Sequence, residues 1–401
     1  SCFIKNTPQG LQLDRQPDIY IDVRIPNEFQ TVGKVNIGIT AGVETTAVSA
    51  KWLEGCNKMD LVITVSEHSK QGFINAKYDK LQQLPDGNQQ KVGELKLEKP
   101  IEVLFEGLEL DEFYPMKSSE LKTPISKTLD SIEESFCYLM VGQWCSGGFG
   151  EDRKDIPRAI KTFYETFANK TSPPALVIKT SGATFSIMDR ENCSKRLKQI
   201  KDAFPKDVKL PNVYFIHGSL TKEEMNELYN HHKIKVFYLT THGEGFGRPL
   251  LEASFTGLPI ITSNWSGHLD FLDTDHSLLV SGKLDKVPNS VVWKDIIEKE
   301  AQWFTADIGS VSTALDFAYT NYNELKEKAL KLMKKNREKF NTDKMVEVFD
   351  GMLEKVASNI PSQVKLNLPK LKKIGNKKDT SSSPPKIKLP KLKKVTSGAN
   401  V

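Results

Sequence analysis

The strongest constraint on this chain is a regular alternation of short apolar runs and amphipathic stretches between residues 135 and 263. "SFCYLMVGQW" (135–144) reads as a strand, followed by the loop "CSGGFGEDRKD" and a helix over "IPRAIKTFYETFANK". Strand "PALVIKTS" (174–181), a helix over 189–204, strand "NVYFIHG" (212–218) and helix "TKEEMNELYNHH" (221–232) come next. Strand "KVFYLTT" (235–241), a helix from Pro249 that stops at Gly257, and strand "PIITS" complete the series. Strands separated by helical segments of about 10–15 residues must lie parallel, because the helix carries the chain back to the starting edge. The expected class is therefore α/β with right-handed crossovers, and its ligands bind beyond the carboxyl ends of the strands.

A shorter series precedes it. "DIYIDVRI" (18–25), "VNIGITAG" (35–42), "DLVITVS" (60–66) and "IEVLFEG" (101–107) read as strands, with helices over 49–59 and "EHSKQGFINAKY" between them. Residues 117–134 are polar and poor in helix signals, and serve as the expected linker. A length of 401 residues suits two to three domains. The expected organisation is an N-terminal Rossmann-like domain over 1–130 and a second α/β domain over 131–318. Helices over 319–360 pack back, and a tail follows over 361–401. The N-terminal domain lacks the opening strand, glycine loop and long helix of such domains, so either residues are missing upstream or the domain is reduced.

Several function classes fall away on composition. No apolar run is long enough to span a bilayer, and "SCFIKNTPQG" is not a signal sequence. The five cysteines are scattered without a CxxC pair, which suits reduced thiols and a cytoplasmic location. No His/Cys cluster has zinc spacing, and the adjacent His231 and His232 read as surface residues. The net charge of +5 hides an asymmetry: residues 361–401 hold eleven lysines and one acid, a charge of +10, so the preceding 360 residues carry −5. In that tail "LPKLKK" occurs at 368–373 and again at 389–394, separated by "DTSSSPP". Such a composition builds no core, and the tail is expected to be disordered. It suits weak, salt-sensitive and sequence-independent contact with DNA, a solubilising or partner-docking role, or an anionic membrane surface.

The chemistry concentrates in "HGEGFGRPLLEASFTGLPII" (242–261). Gly243, Gly245 and Gly247 fall in the turn after a strand, and Pro249 suits the first helical position. Glycines there let something approach the main chain. A helix N-terminus favours phosphate through its unpaired N–H groups and its dipole. Glu252 leans back toward the turn that carries Glu244, so two acceptors for sugar hydroxyls flank a phosphate-binding backbone. Either glutamate alone would read as a dipole partner of the helix. The spacing is GxGxG and not the dinucleotide GxGxxG.

Residues 243–272, with "EGFGRPLLEASFTGLPIITSNWSG" at their heart, resemble the signature of retaining GT-B glycosyltransferases of family 4. Over most of 18–360, including "IPNEF", "GITAGVETT", "MDLVITVSEHSK" and "WSGHLDFLD", the chain is similar to glycosyltransferases encoded by marine tailed bacteriophages. The resemblance implies two Rossmann-like doubly wound domains facing a cleft, and transfer from a nucleotide diphosphate sugar with retention of configuration. It makes 1–130 the acceptor-side domain and 131–318 the nucleotide-sugar-binding domain. It implies that Glu244 contacts the transferred sugar, Glu252 the ribose, and Gly245, Phe246 and Gly247 the sugar and phosphate. Lys154 matches the family's diphosphate-binding lysine. Gln143 stands where the family has an arginine, and Arg153 and Lys179 are the candidate replacements. Arg248 is placed to reach a phosphate or the acceptor, and Gly243 joins the donor-binding turn. No cofactor and no metal are expected, and "DTD" (273–275) lacks the strand context of a metal-binding DxD. The acceptor is left open between a glycan and a modified DNA base. A GT-B-like module that binds a sugar nucleotide or glycan without transferring it, and an epimerase, are the competing readings.

Overall fold

The computed structural model describes residues 15–85 and 87–358, together with the backbone of 4–7 and 10–13. The tail over 361–401, and the disorder expected of it, lie outside the described residues.

The chain opens with a hairpin of β1 (Ile4–Thr7) and β2 (Gly10–Leu13). β3 (Ile19–Val23), β4 (Val35–Thr40), α1 (Ala50–Cys56), β5 (Leu61–Thr64) and α2 (Glu67–Asn75) follow. Then come a second hairpin, β6 (Tyr78–Gln83) with β7 (Gln89–Leu95), and β8 (Ile101–Val103). After α3 (Pro124–Asp130) the second series runs β9 (Cys137–Val141), α4 (Ile156–Phe167), β10 (Ala175–Lys179), α5 (Ile187–Asp202) and β11 (Val213–Ile216). It continues with α6 (Lys222–Asn230), β12 (Ile234–Leu239), α7 (Arg248–Phe255), β13 (Ile260–Ser263) and β14 (Leu278–Val280). A last hairpin, β15 (Gly282–Lys286) with β16 (Gln302–Ala306), leads into α8 (Ile308–Thr320), α9 (Tyr322–Lys339) and α10 (Thr342–Ala357).

The larger sheet is parallel throughout, in the order β11-β10-β9-β12-β13-β14. The chain moves outward from β9 on one side and from β12 on the other. The order therefore reverses between β9 and β12, and a crevice opens above their carboxyl ends. β9 and β10 are buried along almost their whole length, as expected of strands covered on both faces. The amphipathic α4 lays Ile156, Ile160, Phe163 and Phe167 against the sheet.

The smaller sheet, β3-β4-β5-β8, is also parallel, but its strands are neighbours in chain order. Its own helices cover one face, where Phe29, Trp52, Leu53, Val62 and Phe73 pack together. Ser49 and Ser66 start α1 and α2 by accepting the N–H of Trp52 and of Ser69. The other face presents Ile37, Leu61 and Ile63, and α10 covers it with Phe349, Met352 and Leu353. The end of the chain thus completes the core of its beginning.

Residues 117–134 do not behave as a free linker. Glu227 on α6 accepts from the N–H groups of Lys122 and Thr123 and from the hydroxyls of Thr123 and Ser126. Ile125, Leu129 and Ile132 enter the large core. The polar letters that suggested a linker are the groups that satisfy one buried carboxylate. The β6–β7 and β15–β16 hairpins were also not anticipated. The first is exposed on nearly every residue, so no apolar period marks it.

Gly55 in α1 abuts the turn after β3, where an added Cβ would lie 1.8 Å from the Pro26 carbonyl oxygen. Gly55→Ala should cost about 2–3 kcal/mol, the scale of an overpacked core, read as a lowered midpoint in denaturant unfolding.

Candidate active site

The site is built by two loops at the β9/β12 switch. The loop after β9 is folded around Asp152, whose buried carboxylate accepts from the N–H groups of Cys145, Lys154 and Ile156. The end of β12 grips the same loop: His242 N–H and Thr241 Oγ1 donate to the Arg153 carbonyl. His242 itself is stacked on Trp303 at 4.1 Å and stands between the carbonyls of Phe304 and Gly150. These contacts leave the Lys154 side chain one direction. Its Nζ lies 2.5 Å from Glu244 Oε1, with Lys154 8% and Glu244 6% exposed.

Burial alone would push the Glu244 carboxyl above the usual range. Lys154 and Arg153 outweigh it, and the net shift is downward. Arg153 in turn holds Glu44 of the smaller sheet's side at 2.6 Å. A chain of alternating charge, Glu44–Arg153–Glu244–Lys154, therefore crosses the cleft. Buried pairs of this kind are strongly destabilised when one partner is removed, because the other charge is left unpaired.

The glycine turn has a second reason for its glycines. An added Cβ at Gly243 would lie 2.0 Å from the Glu44 carbonyl oxygen, and one at Gly245 2.7 Å from that of Ala41. Ser66 Oγ donates to the Gly245 carbonyl at 2.5 Å. The backbone that approaches the turn is that of the N-terminal unit. Gly247 has φ +97° and caps α7 in a conformation that favours glycine. The N–H groups of Gly245, Phe246 and Gly247 donate to no acceptor among the described residues. The Phe246 ring is core, packed on Phe271.

Glu252 is placed a turn into α7. Tyr229 Oη donates to it at 2.9 Å and Arg248 Nε lies 3.3 Å from its other oxygen. Burial raises its carboxyl above the usual range despite both partners. Two of the expected residues stand apart from the pair. Lys179 meets the Phe185 ring at 5.3 Å, its ammonium destabilised by burial. Gln143 Nε2 donates to the Gly182 carbonyl at 2.6 Å.

Three residues near the pair were not singled out from the sequence. Glu106, beyond β8, feels Arg248 and Glu244, and burial raises its carboxyl first of all. Its place after a parallel strand was a readable signal. His268 is fully buried, with Nε2 on the Ser263 carbonyl and Nδ1 without a partner among the described residues. His68 packs edge-on against Trp265 at 4.6 Å, and burial, helped by His268, lowers it to about 4.

Elsewhere, Asp273 of "DTD" is committed to the N–H groups of Asp275 and His276 and to Lys335. His231 is buried, not on the surface as expected, with its ring 4.4 Å from that of His232. The backbone leaves the end of α6 extended there, which turns the rings together. Asp130 joins them, with ligand atoms of all three within 4.8 Å. Lys233 Nζ already sits 2.7 Å from the Asp130 carbonyl, a cation beside the group.

Two parallel α/β units, the larger with its order reversing at a crevice that faces the smaller, define the GT-B architecture. Solved structures bear this out. A sucrose-phosphate synthase from Thermosynechococcus elongatus is similar at 12% identity and a TM-score of 0.56, over 85% of this chain and 74% of that one. Anabaena HepE, solved in complex with UDP and glucose, is similar at 13% identity and 0.53, over 81% and 72%. A UDP-forming α,α-trehalose-phosphate synthase from Burkholderia xenovorans is similar at 14% and 0.55, over 81% and 69%. Residues 155–289, which hold the glycine turn with Glu244 and Glu252, match the family of glycosyl transferases group 1. Among curated proteins, no sequence matches the chain. No helix among the described residues is long and apolar enough to cross a membrane.

Lys154→Met should destabilise the protein by about 3–5 kcal/mol, since Glu244 stays buried and unpaired. The double variant Lys154→Met/Glu244→Gln should regain much of that loss in the same denaturant titration. By NMR the His68 ring should titrate near about 4. Its folded pKa is depressed, so its contribution is present above the unfolded value of about 6.5 and is lost as pH falls toward 4.

Proposed function

We propose that the protein transfers a glycosyl group from a nucleotide diphosphate sugar to an acceptor hydroxyl, with retention of configuration. The observation that carries this reading is the buried Lys154–Glu244 pair at the β9/β12 switch, beside three N–H groups at the start of α7 that are unpaired among the described residues. Amides and a helix N-terminus suit a diphosphate. Lys154 and Arg153 supply fixed positive charge where negative charge grows on the departing group. Glu244 accepts from hydroxyls of the transferred sugar, and Glu252, already holding the Tyr229 hydroxyl, accepts from the ribose. Gly243 shapes the turn and Arg248 flanks it, while Gln143 and Lys179 stand apart from the pair, on the Gly182 carbonyl and the Phe185 ring.

In the reaction the bond between the anomeric carbon and the diphosphate oxygen breaks and a bond to the acceptor oxygen forms. The acceptor's proton passes to the released nucleoside diphosphate. The nucleotide sugar is a substrate, and the lysine and arginine supply the charge that a metal would otherwise bring. Retention rests on the likeness of the E-x7-E turn to family 4. We place the reaction in the cytoplasm.

The test is nucleoside diphosphate release from UDP-, GDP- and ADP-sugars, with the product anomer read by NMR. Glu244→Gln should lower turnover about 10²-fold or more, the scale of losing one charge stabiliser in a transition state. Turnover that survives both Glu244→Gln and the folded double variant would place the chemistry elsewhere.

A further inference from the structure

Next to this site lies a cavity of about 810 Å³ that shares Arg153 and Gln143 with it and whose remaining walls the proposed chemistry does not use. Its size falls in the range of small-molecule sites. Glu44 and Arg153 form the wall it shares with the charge chain. Trp144 and Asp189 line it from the loop after β9 and the start of α5, Trp293 from the β15–β16 connection and Trp303 from β16. Three of the five tryptophans of the chain are therefore gathered here.

The wall that carries Trp293 is a strap over residues 287–301, tied to the loop after β9 and to α1. Ser290 Oγ donates to Glu151 of the loop after β9 at 2.8 Å. Asp295, at φ +65°, pairs with Lys51 of α1 at 2.7 Å, and its carbonyl accepts from Ser49 Oγ. Ile296 packs on the N-terminal core. The cavity is thus preformed and spans both units. Trp293 on the strap is 63% exposed, an indole held at a cavity wall instead of in a core. Trp144 is buried and its Nε1–H has no acceptor among the described residues.

The wall charges balance in number, two carboxylates against two guanidiniums. Arg153 pairs with Glu44, and Asp189 holds His217 and two N–H groups. Arg196 spans the carbonyls of Trp144 and Cys145 and stacks on the Trp144 ring at 4.5 Å. The four leave the lining without net charge, so it offers no excess cation beyond Arg153, which already faces the charge chain. A nucleic-acid strand would find no excess of cations there. Flat indole faces take the C–H face of a pyranose, and the Gln143 amide takes its hydroxyls.

We infer that this cavity binds an uncharged saccharide, with Trp293 as its stacking platform, and that this saccharide is the acceptor. The second half rests on the transferase reading above; the binding itself does not.

The test uses the full chain and a panel of glucose, galactose, mannose, N-acetylglucosamine and their disaccharides. Binding is followed by tryptophan fluorescence and by saturation-transfer NMR, with UDP titrated in parallel. At least one sugar should bind, and Trp293→Ala should weaken it about tenfold, the scale of one lost aromatic contact, while Trp293→Phe keeps most of the affinity. UDP affinity should not follow. In turnover, the saccharide KM should rise in Trp293→Ala without a matching rise for the nucleotide sugar. Absence of binding by every sugar, equal binding by Trp293→Ala, or a loss of UDP affinity instead would overturn the inference. Sugar binding that depends on Trp293 in a protein that turns over no donor would sink the transferase reading and leave the cavity standing. Transfer that ignores Trp293 would do the reverse.

Discussion

One buried ion pair organises the active cleft. Lys154 and Glu244 come from loops ninety residues apart and meet where the strand order reverses. Each would be costly to bury alone. Keeping them together requires the Asp152 staple, the grip of Thr241 and His242 on Arg153, and the His242–Trp303 stack behind them. The same network carries the cleft-crossing pair Arg153–Glu44. The site's electrostatics and the seating of the two sheets against each other are thus one arrangement.

The glycine turn joins the same two tasks. Its glycines let the Ala41 and Glu44 carbonyls come close, while its unpaired N–H groups remain open to an anion. A side chain at Gly243 or Gly245 would act on the fit of the two units as well as on a ligand. The strap over 287–301 adds a second bridge, tied to Glu151 on one side and to α1 on the other. α10 supplies a third by covering the open face of the smaller sheet.

The local pattern carried far in the larger unit. Its strands and helices could be read in order, because each buried strand is a continuous apolar run and each helix keeps a helical period. Glu244, Glu252 and Lys154 were legible from the turn and from a family likeness. Less was legible where polar residues meet partners far away. Lys122, Thr123 and Ser126 looked like linker residues until Glu227 was placed beside them. His231 looked exposed until the chain after α6 was seen to turn it inward.

By itself the sequence determined the α/β class, the parallel strands and the glycine turn with its two glutamates, because these follow from periodicity and from backbone needs within a few residues. It did not determine that Lys154 would spend its charge on Glu244, or that Lys179 would stand over Phe185. Nor did it show that α10 would finish the first sheet or that three tryptophans would share a cavity. Those outcomes depend on which loops the crossovers bring together at one sheet edge. A buried charge or an exposed indole takes its meaning only from what faces it, and only the tertiary structure decides that.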